Sequence, residues 1–489
     1  MKEKGILLHI SSLPSPYGIG SLGKEAYKFV DFLKETGENY WQVLPLGPTS
    51  YGDSPYQTFS AFAGNPYFID LDILVDKGLL QISEIEEVKA ESTKVDYKWL
   101  YDTRFEILRK AYKRFNKSQD FEDYVRNNEE WLTSFALFMA LKNIYKEGNF
   151  KSFPVEYQDR YSASSLRFIE DNKEELDFYR FLQYEFYLEW QELKKYANER
   201  DVRIIGDMPI YVAYDSSDVY SNPKYFKLKP DLSMKKGAGV PPDYFSKTGQ
   251  LWRNPVYRYD VMKKDHYSWW VKRFKKAFEM FDVVRIDHFR GFASYYQVSS
   301  KEKTAVNGKW VKGPGYSLFR EVKKKLGNLD IIAEDLGFIT PDVIKLLEDT
   351  KYPGMKVIEF GFDGSINNPH LPSNYKENSV CYTGTHDNAP LKEWIEKMPI
   401  KVRNNVCDYL KVDKRINNDD LIDELIKLAL SSVSNITIIP LWDYMHLGSE
   451  ARFNHPSVAS GNWVWRLDKD YYKEELVNKI RKLDDNYGR

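Results

Sequence analysis

Eight short apolar runs are the feature that most limits the fold of this chain. They begin at Gly5, Tyr40, Val202, Phe281, Leu329, Met355, Ser379 and Ile436. Nearly continuous apolar runs of this length are typical of parallel strands buried on both faces. Helical stretches separate most of them, for example the amphipathic segment GKEAYKFVDFLKETG after the first run. Eight strands alternating with helices predict an α/β fold of the (β/α)8 TIM-barrel type.

Two connections are too long for a plain barrel repeat, and they predict insertions. Segments such as EEWLTSFALFMALKNIYKEG have helical periodicity, so we predict a mostly helical subdomain over about 51–200, after strand 2. A second insertion, over about 212–280, follows strand 3, and its segment 237–250 is predicted to be a loop that lies over the site. Residues 1–489 are assigned to a single catalytic barrel domain, with no separate C-terminal β-domain.

Composition narrows the possible partners. The formal net charge of −1 gives no reason to expect a nucleic acid or an anionic membrane as a partner. The N-terminal apolar run is too short for a signal peptide or a membrane span, so we predict a cytoplasmic protein. The two cysteines, Cys381 and Cys407, exclude a disulfide framework and a cysteine metal site. The 36 Tyr, 28 Phe and 12 Trp fit either a large aromatic core or flat platforms for sugar rings.

Ionisable residues follow the predicted strands. They are Asp207 after the third run, Asp287 after the fourth, Glu334 and Asp335 after the fifth, and His386 and Asp387 after the seventh. Because the catalytic groups of a TIM barrel lie at the C-terminal ends of its strands, we expect these side chains to meet at one rim. A single aspartate there is often a helix cap or turn residue, but several acids at one rim are better explained as one site.

Paired carboxylates without a cluster of metal-binding histidines favour cleavage of a glycosidic bond. One carboxylate attacks the anomeric carbon, and a second, protonated carboxyl gives its proton to the leaving oxygen. Asp287 suits the attacking role, because Arg285 lies two residues earlier on the same strand and points to the same side. Its positive charge would keep Asp287 ionised. His288 points the other way and is predicted to be structural.

Longer segments resemble a known family. RIDHFRGF, AEDLG and YTGTHDN are similar to strand-end segments of the α-amylase superfamily. LLHISSLPSPYGIGSLG, GDMPIYVAYDSSDVY and LGSEARFNHPSVASGNWVWRL narrow the resemblance to the amylomaltase-type 4-alpha-glucanotransferases of glycoside hydrolase family 77, over residues 5–467. The resemblance implies transfer of α-1,4-glucan segments, with maltooligosaccharides and starch or glycogen fragments as donor and acceptor.

The resemblance also implies roles for individual residues. Asp287 would be the nucleophile that forms a covalent glucosyl intermediate, Glu334 the general acid/base, and Asp387 the stabiliser of the transition state. The substrate-binding residues that it implies are Arg285, His386, Asp207, Tyr56, Ser54, Asp53, Tyr51, Asn254 and Trp252. It implies neither a metal nor a cofactor.

The chain departs from the family pattern at three places without losing a predicted catalytic acid. Arg253 stands where the family usually has glycine, Ala389–Pro390 replace Asp-Thr, and Tyr214 stands where a histidine or glutamate is more familiar. Two other functions remain open. A glucan hydrolase would use the same acids, because transfer differs from hydrolysis only in how water is kept out and an acceptor held. A catalytically silent glucan-binding protein is disfavoured by the intact acids.

Overall fold

The structure is a computed structural model that describes residues 2–50, 52–146, 148–242, 246–456, 458 and 460–484. Its strands are β1 (Glu3–Leu7), β2 (Tyr40–Gln42), β3 (Arg203–Met208), β4 (Lys236–Val240), β5 (Gln250–Pro255), β6 (Val283–Ile286), β7 (Ser294–Ser299), β8 (Lys309–Lys312), β9 (Ile331–Ala333), β10 (Gly354–Val357), β11 (Ser379–Tyr382) and β12 (Ile436–Pro440).

The α-helices of the described residues alternate with these strands over much of the chain. They are α1 (Lys24–Glu35), α2 (Leu71–Asp76), α3 (Ile82–Glu86), α4 (Tyr97–Arg114), α5 (Gln119–Tyr145), α6 (Ala163–Asp171), α7 (Lys173–Asn198), α8 (Ser217–Ser221), α9 (Tyr259–Lys264), α10 (Ser268–Met280), α11 (Tyr316–Leu326), α12 (Pro341–Thr350), α13 (Leu391–Lys397), α14 (Ile400–Leu410), α15 (Asn418–Ser431), α16 (Leu441–Tyr444) and α17 (Glu474–Asp484). Among the described helices, none combines the length and apolar character that crossing a membrane requires.

Eight of the strands form a closed barrel in the order β1-β12-β11-β10-β9-β6-β3-β2. All neighbouring pairs are parallel, and β1 closes the barrel by pairing with both β2 and β12. Each of the eight apolar runs overlaps one barrel strand, which confirms the predicted TIM barrel. The C-terminal ends of all eight strands therefore share one rim, where the predicted acids lie.

A second, four-stranded sheet in the order β5-β4-β7-β8 lies outside the barrel. Its strands pair antiparallel, and β4 joins β5 in a hairpin. The sequence predicted a loop over 237–250, whereas the structure has strand β4 at the start of this segment and the first residue of β5 at its end. The Gly-Ala-Gly of β4 lacks the apolar alternation by which strands are recognised. Residues 243–245 of this segment lie outside the described residues.

The connection between β2 and β3 is mostly helical over its described residues. It contains α2 to α7, and its long helices α5 and α7 pack on each other. Phe138 and Leu141 of α5 and Phe181 and Phe186 of α7 are buried within the same hydrophobic core as the barrel. These helices lie within the span 51–200 for which the helical subdomain was predicted.

Asp218 of α8 ties the connection after β3 to the turn after β2. Its buried carboxylate accepts a hydrogen bond from the Ala61 backbone N–H at 2.8 Å. The neighbouring Ser217 N–H donates to the Phe59 carbonyl at 2.8 Å. Burial raises the pKa of Asp218 to about 6, against a backbone hydrogen bond that lowers it. The turn that carries Tyr56 is thus held by a carboxyl group that is costly to ionise.

We expect the Asp218→Asn variant to gain stability relative to the parent chain as the pH rises. Asp218 keeps its proton to a higher pH in the folded than in the unfolded chain, so its contribution to folding is lost as the pH rises through about 6. Between about pH 4 and pH 7 the free energy of unfolding of the parent should fall by roughly 2 kcal/mol relative to the variant. Denaturant titrations over this range measure the difference.

The control is Asp171→Asn, at an exposed aspartate of α6. Its free energy of unfolding should follow that of the parent chain at every pH. A difference between parent and Asp218→Asn that did not change with pH would contradict the assignment.

Candidate active site

A buried ion pair between two neighbouring barrel strands lies at the centre of the site. The register of β3 and β6 places Asp207 beside Arg285. Arg285 Nη1 donates to Asp207 Oδ2 at 2.6 Å and to Asp287 Oδ1 at 3.3 Å. Only 4% of the Arg285 side chain is exposed, and the Asp207 side chain is fully buried. The sequence analysis paired Arg285 with Asp287 alone; the shorter contact is with Asp207, because the adjacent strand brings it level with the guanidinium.

Asp287 follows β6, and its backbone N–H donates to the Met208 carbonyl of β3 at 3.1 Å. Its side chain is less enclosed than those of Asp207 and Arg285, with 29% exposed. Burial raises the pKa of Asp287 well above its usual value; the Arg285 charge opposes this, whereas Asp207, Glu334 and Asp387 add to it. Asp287 is thus a carboxyl group held beside a cation among other acids.

Glu334 follows β9 and is held by backbone donors. Its Oε2 accepts from the His288 N–H at 2.6 Å, and its Oε1 accepts from the Leu336 N–H at 2.9 Å. Burial raises the pKa of Glu334, although Arg285 and both backbone hydrogen bonds oppose the shift. Because Asp207 and Asp287 contact one guanidinium and Glu334 lies within its electrostatic reach, a proton retained on Asp287 or Glu334 limits the uncompensated negative charge.

His288 follows the end of β6, and the structural role predicted for it from the sequence stays a prediction. Its backbone has a φ of 51°, which turns the chain immediately after Asp287. The imidazole packs edge-on against Trp252 at 4.7 Å between ring centroids. This turn aims the His288 N–H at Glu334, so the residue after Asp287 also holds the second carboxyl group.

Asp387 and His386 lie in the loop after β11. Asp387 Oδ1 accepts from Asn454 Nδ2 at 2.6 Å and lies 3.3 Å from His386 Nε2. Half of the Asp387 side chain is exposed, so it faces the opening of the site. The His386 ring stacks on Tyr56 at 5.1 Å with an interplanar angle of 16°. Burial lowers the pKa of His386, which favours a neutral imidazole.

Tyr56 connects the turn after β2 to this cluster. Its hydroxyl donates to Asp207 Oδ2 at 2.8 Å and lies 3.5 Å from His386 Nδ1. Ser54 Oγ accepts from the Tyr56 N–H at 3.2 Å, and Asp53 adopts a φ of 56°. Ser54 and Asp53 therefore shape the turn that presents Tyr56. Tyr51, predicted to bind substrate from this turn, lies outside the described residues.

Asn254 and Trp252 reach the site from β5. The buried Asn254 donates from Nδ2 to the Val212 carbonyl at 2.9 Å and accepts at Oδ1 from Gln57 Nε2 at 3.0 Å. It therefore joins the second sheet to the Tyr56 turn and to the segment after β3. Trp252 is partly exposed and lies against His288, whose backbone binds Glu334.

Two residues of the site were not predicted from the sequence, and one strand-end acid that was predicted to lie at the site has another role. Asn454 and Trp463 come from the segment between α16 and α17, which no strand-end rule indicates. The Trp463 ring lies 5.9 Å from that of Tyr56 and 6.0 Å from that of His386. The only sequence signal for either residue was the family-like segment LGSEARFNHPSVASGNWVWRL.

Asp335 was predicted to lie with the other strand-end acids. It instead accepts from the Met355 N–H at 2.7 Å and anchors β10. No group of three or more His, Cys, Asp or Glu residues in the described ranges is placed to hold a metal ion.

Comparisons with known proteins identify the family of the chain. The family model described as 4-alpha-glucanotransferase matches residues 8–471. A 4-alpha-glucanotransferase of Clostridium butyricum is 46% identical over 99% of this chain and 100% of that protein. One from Thermus thermophilus is 43% identical over 95% of this chain and 94% of that protein. The solved structure of an amylomaltase from Streptococcus agalactiae in complex with acarbose has a TM-score of 0.96 and 38% identity, covering 100% of both chains.

The backbone conformation at Arg253 explains why the family usually has glycine at this position. Arg253 stands where glycine is usual, and its backbone has a φ of 59°, in the left-handed region. An L side chain adopts this conformation at a cost of roughly 1–2 kcal/mol, which glycine avoids. Arg253 is exposed, between the partly buried Trp252 and the buried Asn254. The usual glycine therefore reflects a backbone requirement that this chain meets under strain.

We expect Arg253→Gly to raise the free energy of unfolding by up to about 1 kcal/mol, because the relief of strain exceeds the greater freedom of glycine in the unfolded chain. Thermal and denaturant unfolding measure the change. The matched control is Arg167→Gly, at an exposed arginine inside helix α6, which should lose roughly 0.5–1 kcal/mol. Equal losses in the two variants would contradict the strain at Arg253.

Proposed function

The chain belongs to the 4-alpha-glucanotransferase family, whose members transfer glucan segments, and we propose that it does so by a retaining double displacement through a covalent glucosyl intermediate on Asp287. The observation that carries this proposal is that Asp287 contacts Arg285 and that the next residue, His288, binds the Glu334 carboxyl group through its backbone N–H. Both carboxyl groups have a raised pKa, and each is held in a different way. Asp287 contacts the guanidinium, whereas Glu334 is fixed by two backbone N–H groups.

In the first step an α-1,4-linked glucan lies with its scissile bond between the two carboxyl groups. The Asp287 carboxylate attacks the anomeric carbon while the bond to the leaving oxygen breaks. Glu334, in its protonated form, gives its proton to that oxygen, so that the reducing-end segment leaves with a free 4-hydroxyl. The Arg285 contact favours the ionised form of Asp287, and the pair thus shares one proton in the productive state.

In the second step a glucan acceptor takes the place of the departed segment. Its 4-hydroxyl gives a proton to the Glu334 carboxylate, and its oxygen attacks the anomeric carbon as the ester bond to Asp287 breaks. Both carboxyl groups return to their starting protonation states. Two inversions at one carbon retain the α configuration.

Asp387 and His386 would bind the hydroxyls of the sugar bonded to Asp287. Asp387 is the most exposed of the three acids, which suits a residue that meets the substrate directly. Its negative charge stabilises the positive charge that develops on the sugar ring in the transition state. Arg285 and Tyr56 donate hydrogen bonds of 2.6 and 2.8 Å to the same Asp207 oxygen. Asp207 would thus hold Arg285 in place, and Tyr56 would hold the His386 ring that stacks on it.

Transfer instead of hydrolysis requires that an acceptor sugar displaces water at the intermediate. Trp252 and the described parts of the segment 237–250, which include most of β4, would cover the acceptor side. Trp252 supports this by lying against His288, one residue from the proposed nucleophile. An aromatic ring there can stack on a sugar face and exclude water. The acarbose complex of the Streptococcus agalactiae amylomaltase supports a glucan-like ligand for this site as well.

We expect Asp287→Asn and Glu334→Gln each to lower turnover on maltooligosaccharides by roughly 10⁴- to 10⁶-fold, the size of loss seen when a covalent nucleophile or its partner is removed. The loss follows because an amide can neither attack the anomeric carbon nor deliver the proton. Initial rates of product formation measure it. The matched control is Asp335→Asn, which removes the strand-end acid that anchors β10, and it should keep most of the activity. Full activity in Asp287→Asn would refute the assignment.

Incubation with maltotriose distinguishes transfer from hydrolysis. We expect glucose together with a ladder of longer maltooligosaccharides, while the number of reducing ends stays constant, because each cleavage is followed by a new α-1,4 bond. Chromatography of the products and a reducing-end assay measure the two quantities. A rise in reducing ends that matches the loss of maltotriose would favour a glucan hydrolase.

A further inference from the structure

Glu359 is an ionisable residue near the site for which the proposed mechanism has no use. It follows β10, and β10 pairs with β11, the barrel strand that leads to Asp387. We propose that Glu359 is a positioning residue that fixes the Asp387 backbone through Asn388 and Thr385. This inference rests on the proposed role of Asp387 at the sugar.

A continuous chain of hydrogen bonds connects the two acids. Asn388 Nδ2 donates to Glu359 Oε2 at 3.0 Å. Asn388 Oδ1 in turn accepts from the Thr385 N–H at 3.0 Å and from the Thr385 hydroxyl at 2.8 Å. The Thr385 oxygen then accepts from the Asp387 N–H at 3.2 Å. Each link is made by a side chain of the loop after β11, so the loop conformation depends on where Glu359 holds Asn388.

The backbone shows that Glu359 is built into this loop. The Glu359 N–H donates to the Thr383 carbonyl at 3.3 Å. A Cβ placed on Gly384 would lie only 2.9 Å from Glu359 Oε1 and 3.1 Å from the Asn388 Cβ. The carboxyl group therefore occupies the space that a side chain at residue 384 would need. This close packing leaves Asn388 little freedom to move away from its acceptor.

The surroundings of Glu359 favour a neutral carboxyl group. Burial and the nearby Asp443 raise the pKa of Glu359 well above its usual value, and Asn388 and Arg452 oppose this shift only in part. Its Oε1 is buried and has no hydrogen-bond partner among the described residues. A neutral acceptor serves Asn388 without placing another negative charge behind Asp387. Glutamine has the same shape and also accepts through its carbonyl oxygen, so it should replace Glu359 in this role.

The expected consequence is a loss of turnover without a loss of binding. In Glu359→Leu the partly buried Asn388 amide loses its acceptor, and the loop that carries Asp387 is no longer fixed by it. We expect kcat on maltotriose to fall by about 10- to 100-fold, as is common when a supporting residue behind a site is removed. KM should change little, because Asp387 acts mainly in the transition state. Glu359→Gln should restore a kcat close to that of the parent chain.

The matched control is Glu189 of α7. It too is buried, has a pKa raised well above its usual value, and accepts a single backbone hydrogen bond, from Asp70 at 2.8 Å. Glu189→Leu should lower the Tm and leave kcat of the folded protein unchanged. Equal kcat losses in Glu359→Leu and Glu189→Leu, or in Glu359→Leu and Glu359→Gln, would overturn the inference, and so would a parent-like kcat in Glu359→Leu.

A double variant tests the connection itself, and the single variant Asn388→Ala covers the case in which Glu359→Leu does not fold. Asn388→Ala should lower kcat as much as Glu359→Leu, and the two changes together should cost no more than either alone, because they break one chain of contacts. Multiplied losses, or an unaffected kcat in Asn388→Ala, would refute the connection. Asp387→Asn separates the two proposals: if it stays active, the role of Asp387 is wrong, whereas if it is inactive and Glu359→Leu is active, only the inference about Glu359 fails.

Discussion

The site depends on one buried guanidinium, that of Arg285, shared between two carboxylates on adjacent strands. Removing one partner of such a pair typically costs 3–5 kcal/mol, because the remaining charge is left without compensation away from water. Asp207 makes the shorter contact and is wholly buried, whereas Asp287 makes the longer one and reaches the opening. Asp207 thus holds the cation, and Asp287 stays free enough to react. Tyr56 donates to the same Asp207 oxygen, and His386 stacks on Tyr56, so the geometry of the sugar-facing side depends on this pair.

The barrel could be predicted from the sequence because its strands are buried on both faces and therefore appear as apolar runs. The small sheet could not. Its strand β4 is glycine-rich, and β8 is largely exposed, so neither shows the pattern of a buried strand. Their pairing depends on contacts across the sheet, which local composition does not reveal.

The same difference, between local sequence patterns and contacts made by distant parts of the chain, decides which site residues could be predicted. Asp287, Glu334 and Asp387 could be predicted because a parallel barrel brings strand ends together whatever the connections between them. Asn454 and Trp463 meet them only after a long stretch of chain has folded back over the rim, and no spacing rule indicates that. Asp335 shows the opposite failure: it follows its strand as Glu334 does, but alternation turns it outward to cap the next strand.

The way the barrel closes also affects how the chain is made. β1 hydrogen-bonds to β12, so the first strand lacks one of its two neighbours until residue 440 has been synthesised. At synthesis rates of about 5–20 residues per second, the nascent protein carries an open, apolar sheet edge for at least about twenty seconds. During that time it can pair with other chains. Yield in a cell should accordingly be sensitive to temperature and to chaperone supply, even where the finished enzyme is robust.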